Sequence, residues 1–105
     1  MKLTLLTVPN CPNAAVFEER LADALANHPG VVVHRREIAD VQAAVRAGMH
    51  GSPTLLINGV DPFAVLGQRP SVSCRLYRDA AGQVTQAPSV QALRQALAKA
   101  RMPPS

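Results

Sequence analysis

The sequence predicts an α/β fold, in which strands and helices alternate along one domain. Short apolar or β-branched runs bounded by turn residues occur at 2–8, 31–38 and 53–57, as is typical of strands. Between them, and again near the end of the chain, apolar residues recur at three- and four-residue steps, as on one face of a helix. The 105 residues, of which 48% are apolar, suffice for a single hydrophobic core.

A proline separates the first strand from the first helix. The run KLTLLTV at 2–8 is bounded by Pro9 and is predicted to be a buried strand. A helix is predicted from Asn13 to about Asn27, because its charged residues lie off the apolar stripe, and His-Pro-Gly at 28–30 ends it. The stripe consists of Val16, Phe17, Leu21, Ala24 and Leu25.

The middle of the chain carries clear boundary signals. VVVHRREI at 31–38 begins β-branched and turns polar, which is typical of a strand at or near a sheet edge. Asp40 is predicted to cap a short helix that ends before Gly48. PTLLI at 53–57 is predicted to be a strand closed by the turn dipeptide Asn58-Gly59. The inward face of the short helix is predicted to hold Val41, Ala44 and Val45.

The last third begins with a predicted long loop over 60–71, where no periodicity is visible. SCRLY at 73–77 alternates like a strand, and 79–86 contains a turn followed by a returning hairpin arm. Ser89 is predicted to cap a last helix, which Pro103-Pro104 ends. Its inward residues are predicted to be Val90, Leu93, Ala96, Leu97 and Ala100.

The predicted order is therefore β-α-β-α-β-β-α. Helices that connect strands normally cover the faces of a parallel sheet, so we expect the first three strands to be parallel. The fourth strand follows a loop without a helix and is expected to be antiparallel.

Composition excludes several classes of function. The net charge of +4 is scattered, with one tight basic cluster at 34–36, and aromatic residues make up only 3% of the chain. The basic stripe with stacking aromatics that nucleic-acid binders use is missing, so no nucleic-acid partner is expected. No run reaches the ~18 apolar residues of a membrane span. The first apolar run is too short for a signal peptide, so we expect a cytoplasmic protein with reduced cysteines.

Cys11 occupies the joint between the first strand and the first helix. The unpaired N–H groups and the positive dipole end of a helix favour a thiolate over a thiol. Pro12 suits the first helical position, because a residue there needs no N–H partner. We therefore expect Cys11 to be nucleophilic at neutral pH. The alternative is a small apolar cysteine that closes the end of a strand.

Two motifs at matching joints indicate a known family. Asn10-Cys11-Pro12-Asn13-Ala14 precedes the first helix, and Gly51-Ser52-Pro53-Thr54 leads into the third strand. Together with the element order, they resemble the thioredoxin-like superfamily in its minimal, glutaredoxin-sized form. DPF at 61–63 and SCRLY at 73–77 are similar to a small bacterial subgroup sometimes labelled alkylmercury-lyase-like.

The resemblance implies a minimal thioredoxin fold, with a central four-stranded mixed sheet flanked by three helices. It also implies thiol–disulfide chemistry at Cys11 and a cis Ser52–Pro53 bond that faces the reactive cysteine. The expected partner is a disulfide or thiol substrate, either a protein or a small thiol such as glutathione, and no cofactor is expected. Ala14 departs from the family pattern, since a dithiol site has its second cysteine at that position.

Several other residues are candidates for the site. Cys74, the second of two cysteines, is either a buried inert thiol, as its face with Val72 and Leu76 suggests, or a partner of Cys11. Pro12, Ser52 and Pro53 are predicted to bind substrate. Asp61 is either a proton donor or part of a turn, and Phe63 is either a wall of the cleft or an anchor for the loop. Arg75 and Tyr77 either line the site or occupy exposed strand positions.

Three functions remain open from the sequence. The leading prediction is a thiol–disulfide oxidoreductase or glutaredoxin-like reductase with Cys11 as nucleophile. The second is soft-metal binding, of mercury or copper, or alkylmercury-lyase-like activity, through Cys11 and Cys74. The third is a binding module that has the fold without turnover. The histidines have no metal-ligand spacing with either cysteine, so no resident metal is expected.

Overall fold

A computed structural model of the protein describes residues 1–101. It has three helices and a mixed sheet, which confirms the predicted α/β class. The predicted helix stop at Pro103-Pro104 lies outside the described residues. The helices are α1 (Pro12–Ala24), α2 (Val41–Ala47) and α3 (Val90–Arg101). The strands are β1 (Leu3–Thr7), β2 (Val33–Glu37), β3 (His50–Ser52), β4 (Thr54–Ile57), β5 (Ser71–Cys74), β6 (Tyr77–Arg78) and β7 (Val84–Thr85).

The main sheet has three strands in the order β2-β1-β4, and β1 is parallel to β2. The expectation of a four-stranded central sheet is therefore wrong within the described residues. Two further pairs stand beside this sheet: β3 pairs with β5, and β6 pairs with β7. The β6–β7 pair is the predicted hairpin, and its turn is held by Asp79, whose Oδ1 accepts hydrogen bonds from the Ala81 and Gln83 amides.

The prediction that the third strand runs parallel to the first is also wrong. β4 is antiparallel to β1, and Thr54 at its start pairs with Leu6 near the end of β1. The cause is the short α2, whose 7 residues rise only about 10 Å, compared with about 20 Å for the 13 residues of α1. The chain is not carried back to the opposite end of the sheet, so β4 starts at the end where β1 finishes.

The predicted strand at 73–77 is broken in the structure. β5 runs parallel to β3, with Ser52 opposite Cys74, and Arg75 and Leu76 lie outside any strand. The expected antiparallel arrangement is therefore wrong. Gly51 allows the close approach of β5: a Cβ atom at this position, where φ is +109°, would lie 2.9 Å from Arg75 Cβ.

The helix caps follow the sequence signals except at the end of α1, which stops at Ala24, three residues before the predicted end at Asn27. Pro12 opens α1, Asp40 Oδ1 accepts a hydrogen bond from the Ala43 amide (2.8 Å), and Gly48 ends α2 with φ +77°. Ser89 Oγ accepts a hydrogen bond from the Ala92 amide (3.1 Å) at the start of α3. The predicted inward faces are wrong at three positions: Val41, Val45 and Ala100 are exposed. In α2 the stripe that contacts the core is made of alanines instead.

The core consists of two clusters on the two faces of the sheet strands. The larger cluster lies between the sheet, α1 and α3, and it contains Leu3, Leu5, Phe17, Leu21, Leu55, Tyr77, Leu93 and Leu97. The smaller cluster consists of Leu6, Ile38, Ala44 and Met49. Together they fix the end of β1 and the start of α1, where Cys11 lies. Among the described helices none is both long and apolar enough to cross a bilayer.

Candidate functional site

Cys11 is the residue that precedes the first turn of α1. Its backbone is extended (φ −70°, ψ 117°), and Pro12 takes the first helical position, as the sequence predicts. Asn10 has a positive φ of 60°, a conformation that asparagine tolerates, and it turns the chain from β1 into the helix. The Cys11 side chain is partly exposed and makes no capping hydrogen bond with α1. Cys11 therefore lies at the surface of the protein, at the start of α1.

The Ser52–Pro53 peptide bond is cis, as the resemblance described above implied. Both residues are buried. The Ser52 hydroxyl accepts a hydrogen bond from the Val8 amide (3.0 Å), and the Ser52 carbonyl accepts one from the Arg75 amide (2.9 Å). Ser52 therefore connects the end of β1, three residues before Cys11, to the chain that follows β5.

Tyr77 contacts the Pro53 carbonyl from a buried position. Its ring is buried between Phe17 and Phe63, with edge contacts at centroid distances of 5.9 and 5.8 Å, and its hydroxyl donates a hydrogen bond to the Pro53 carbonyl oxygen. Burial raises the pKa of Tyr77 above its ordinary value of 10.0, the Arg75 guanidinium opposes the rise, and the Asp61 carboxylate adds to it. Tyr77 therefore fixes the Pro53 carbonyl from a buried position beside the candidate site.

A buried ion pair lies beside Tyr77. Arg75 Nη1 donates to Asp61 Oδ2 at 2.7 Å, and the two side chains are only 4% and 3% exposed. Arg75 Nη2 donates to the Phe63 carbonyl (2.7 Å), and the guanidinium carbon lies 4.7 Å from the centroid of the Tyr77 ring. A buried guanidinium needs a carboxylate and several acceptors to offset its lost hydration, and this arrangement supplies them.

His50 and Thr54 complete the network. His50 Nδ1 donates to Asp61 Oδ2 at 2.9 Å, so this carboxylate oxygen has two donors. Thr54 Oγ1 donates to the Gly51 carbonyl (2.6 Å) and accepts from Arg75 Nη1 (3.3 Å). No buried side-chain nitrogen or oxygen atom among the described residues lacks a partner. The network is therefore fully satisfied, which is the condition under which a buried polar cluster is rigid.

The structure corrects three expectations about the strand around Cys74. Cys74 and Leu76 are exposed, so the interpretation of Cys74 as a core thiol is wrong. Arg75 and Tyr77, taken as possible exposed strand positions, are buried at 5% and 7% exposure. The predicted alternation is correct, but Arg75 and Tyr77 point inward instead of Cys74 and Leu76. Arg75 can be buried because its charge is paired with the Asp61 carboxylate.

The remaining candidate residues divide between the site and its surroundings. Asp61 accepts hydrogen bonds from Arg75, His50 and the Phe63 amide, so its carboxylate serves as an acceptor within the buried network. Phe63 packs on Tyr77 and joins the larger core cluster, as expected of an anchor for the loop. Pro12 is exposed beside Cys11. Within residues 1–101, no group of three or more histidine, cysteine or acidic side chains is arranged to hold a metal ion.

Comparison of the chain with protein-family models, with curated proteins and with solved structures gives no match.

Proposed function

We propose that this protein is a thioredoxin-like thiol–disulfide oxidoreductase in which Cys11 is the nucleophile. The observation that carries the proposal is the position of Cys11, a partly exposed residue at the N-terminus of α1, three residues after Val8, whose amide donates to the hydroxyl of Ser52 in the cis Ser52–Pro53 pair. The helix N-terminus favours the anionic form of the sulfur, which is the form that attacks disulfides. The order of strands around β1, with one parallel and one antiparallel neighbour, supports a thioredoxin-like arrangement.

The proposed reaction is a pair of thiol–disulfide exchanges. The Cys11 thiolate attacks one sulfur of a substrate disulfide, forms a mixed disulfide with it, and releases the other sulfur as a thiolate. A second thiol then attacks the substrate sulfur of the mixed disulfide and restores the Cys11 thiolate. In the net reaction one substrate sulfur is reduced to a thiol, and the second thiol is oxidised as it joins the other substrate sulfur in a new disulfide.

We propose that the second thiol comes from a separate molecule and not from Cys74. Ala14 cannot supply it, and Cys74 is the only other cysteine of the chain. Ser52 lies between Cys74 and the Cys11 joint: it pairs with Cys74 on one side, and its hydroxyl accepts from the Val8 amide on the other. Because neighbouring strands are about 4.8 Å apart, Ser52 keeps Cys74 away from the Val8 end of β1, and we expect Cys11, three residues later, to be beyond disulfide reach of Cys74.

The test is a disulfide-exchange assay with a low-molecular-weight thiol as reductant. The wild type is compared with Cys11→Ser and Cys74→Ser, which replace each thiol by a hydroxyl of similar size. We expect the first variant to lose exchange activity and the second to keep it within about twofold. Equal rates for the wild type and Cys11→Ser would refute the proposal. Loss of activity in Cys74→Ser would instead assign the second thiol to Cys74.

A further inference from the structure

Tyr77, Arg75 and the Asp61 carboxylate contact the segment of five consecutive residues 50–54, which contains Pro53. The His50 ring contacts Asp61, which Arg75 binds, and Arg75 Nη1 donates to Thr54 Oγ1. The Arg75 amide donates to the Ser52 carbonyl, and the Tyr77 hydroxyl donates to the Pro53 carbonyl. At Gly51, the missing Cβ leaves room for Arg75. Main-chain and side-chain contacts therefore fix every residue of this segment.

Close packing alone does not require polar and charged side chains at these positions. A buried ion pair is costly to desolvate, and apolar residues of similar volume are often as stable or more stable in its place. A phenylalanine ring at position 77 would keep the contacts with Phe17 and Phe63 and would remove only the hydroxyl. What the polar groups add is directional: each hydrogen bond fixes one atom of the 50–54 segment relative to the sheet.

Resting on the function proposed above, we propose that Tyr77 is a positioning residue of the Cys11 site. Its hydroxyl fixes the Pro53 carbonyl and the adjoining main chain. An incoming disulfide packs against this main chain and is thereby aligned with the Cys11 sulfur. Asp61 and Arg75 act through Tyr77 and through the Ser52 and Thr54 contacts. Exchange requires the attacking sulfur and both disulfide sulfurs to be in line. A small displacement of the main chain at Pro53 therefore slows exchange strongly. Alkylation by a small reagent has no such requirement.

The experiment compares two reactions of Cys11 in the wild type, Tyr77→Phe and Ser89→Ala. The reactions are exchange with hydroxyethyl disulfide, measured as kcat and KM, and alkylation by iodoacetamide. Ser89→Ala removes a hydroxyl and its hydrogen bond at the start of α3, so it controls for a general loss of stability. We expect Tyr77→Phe to lower kcat/KM for exchange about tenfold, while its alkylation rate stays within about twofold of the wild type. Ser89→Ala should leave both rates unchanged.

Three outcomes would overturn the inference. Exchange by Tyr77→Phe at the wild-type rate would show that the hydroxyl positions nothing. A parallel fall in exchange and alkylation would show that the hydroxyl acts on the sulfur or on the fold and not on alignment. If Cys11→Ser, included in the same series, exchanges as fast as the wild type, the proposed function itself fails and the positioning role fails with it. A Tyr77→Phe variant that matches the wild type while Cys11→Ser is inactive removes only the positioning role.

Discussion

The hydroxyl of Tyr77 donates a hydrogen bond to the carbonyl oxygen of Pro53, a residue 24 positions earlier in the chain. The bond joins the β6–β7 hairpin to the segment between β3 and β4, which share no strand pairing. The adjacent residue Ser52 accepts a hydrogen bond from the amide of Val8, three residues before Cys11. Tyr77 therefore fixes main chain that adjoins the segment leading to the candidate nucleophile.

Tyr77 predicts how stability changes in alkaline solution. Its pKa is raised in the folded protein, chiefly by burial, whereas in the unfolded chain it has the ordinary value of 10.0. Above pH 10 the unfolded chain loses the phenolic proton while the folded protein keeps it, so the free energy of unfolding falls by up to about 1.4 kcal/mol per pH unit from this group. Urea unfolding from pH 9 upward should show a steeper decline for the wild type than for Tyr77→Phe. Identical slopes would mean that the phenol is not buried.

The buried Asp61–Arg75 pair should be far more important for stability than the more exposed Arg35–Glu18 pair. Replacing one partner, as in Asp61→Asn, leaves the Arg75 charge buried without its carboxylate and should cost about 3–5 kcal/mol of unfolding free energy. The matched control is Arg35→Gln, which breaks the pair with Glu18, where the side chains are 69% and 30% exposed, and it should cost less than about 1 kcal/mol.

A double variant separates the cost of an unpaired charge from the cost of lost packing. Asp61→Leu combined with Arg75→Met removes both charges, so we expect its stability to exceed that of Asp61→Asn. The free energy of unfolding is measured by chemical denaturation for the double variant, for Asp61→Leu and Arg75→Met separately, and for Asp61→Asn. A double variant whose loss equals the sum of the two single losses would show that the charges are not coupled.

Gly51 tests the close packing of β5 on β3. A Cβ here would meet Arg75 Cβ at 2.9 Å and the Ser73 carbonyl oxygen at 3.1 Å, at a φ of +109°. Gly67 also has a positive φ, of +82°, but a Cβ there would have nothing within 4 Å. We expect Gly67→Ala to cost about 1–2 kcal/mol through the backbone alone, and Gly51→Ala to cost about 1–3 kcal/mol more. Equal losses of thermal stability would contradict this packing.

Local signals in the sequence predicted the starts of the three helices, the end of α2 and the turn after β4. Pro12, Asp40, Gly48 and Ser89 act through contacts with residues at most a few positions away, so their roles follow from the neighbouring sequence alone. Asn58-Gly59 behaves in the same way, since both residues take the positive φ values that a tight turn needs. The placement of Cys11 before α1 belongs to this class of prediction.

The orientation of β4 and the face of the strand at 73–77 were not predictable in this way. The sequence marks Arg75 as a charged residue, and a charged residue is normally exposed. Arg75 is buried because it pairs with Asp61, 14 positions earlier in the chain. The loop between the two residues has no periodicity from which this contact could be predicted. The sequence offered Tyr77 as a residue that could line the site but did not reveal its role, since its hydrogen bond to the Pro53 carbonyl joins positions 24 residues apart.

The most direct test of the account is the rate at which iodoacetamide modifies each cysteine at neutral pH, measured separately in Cys74→Ser and Cys11→Ser. Cys74 is exposed and Cys11 only partly so, which means that accessibility alone would make Cys74 the faster residue. We predict the reverse, with Cys11 about tenfold faster, because the helix N-terminus favours its thiolate. A Cys11 that reacts no faster than Cys74 would contradict the claim that α1 activates this thiol.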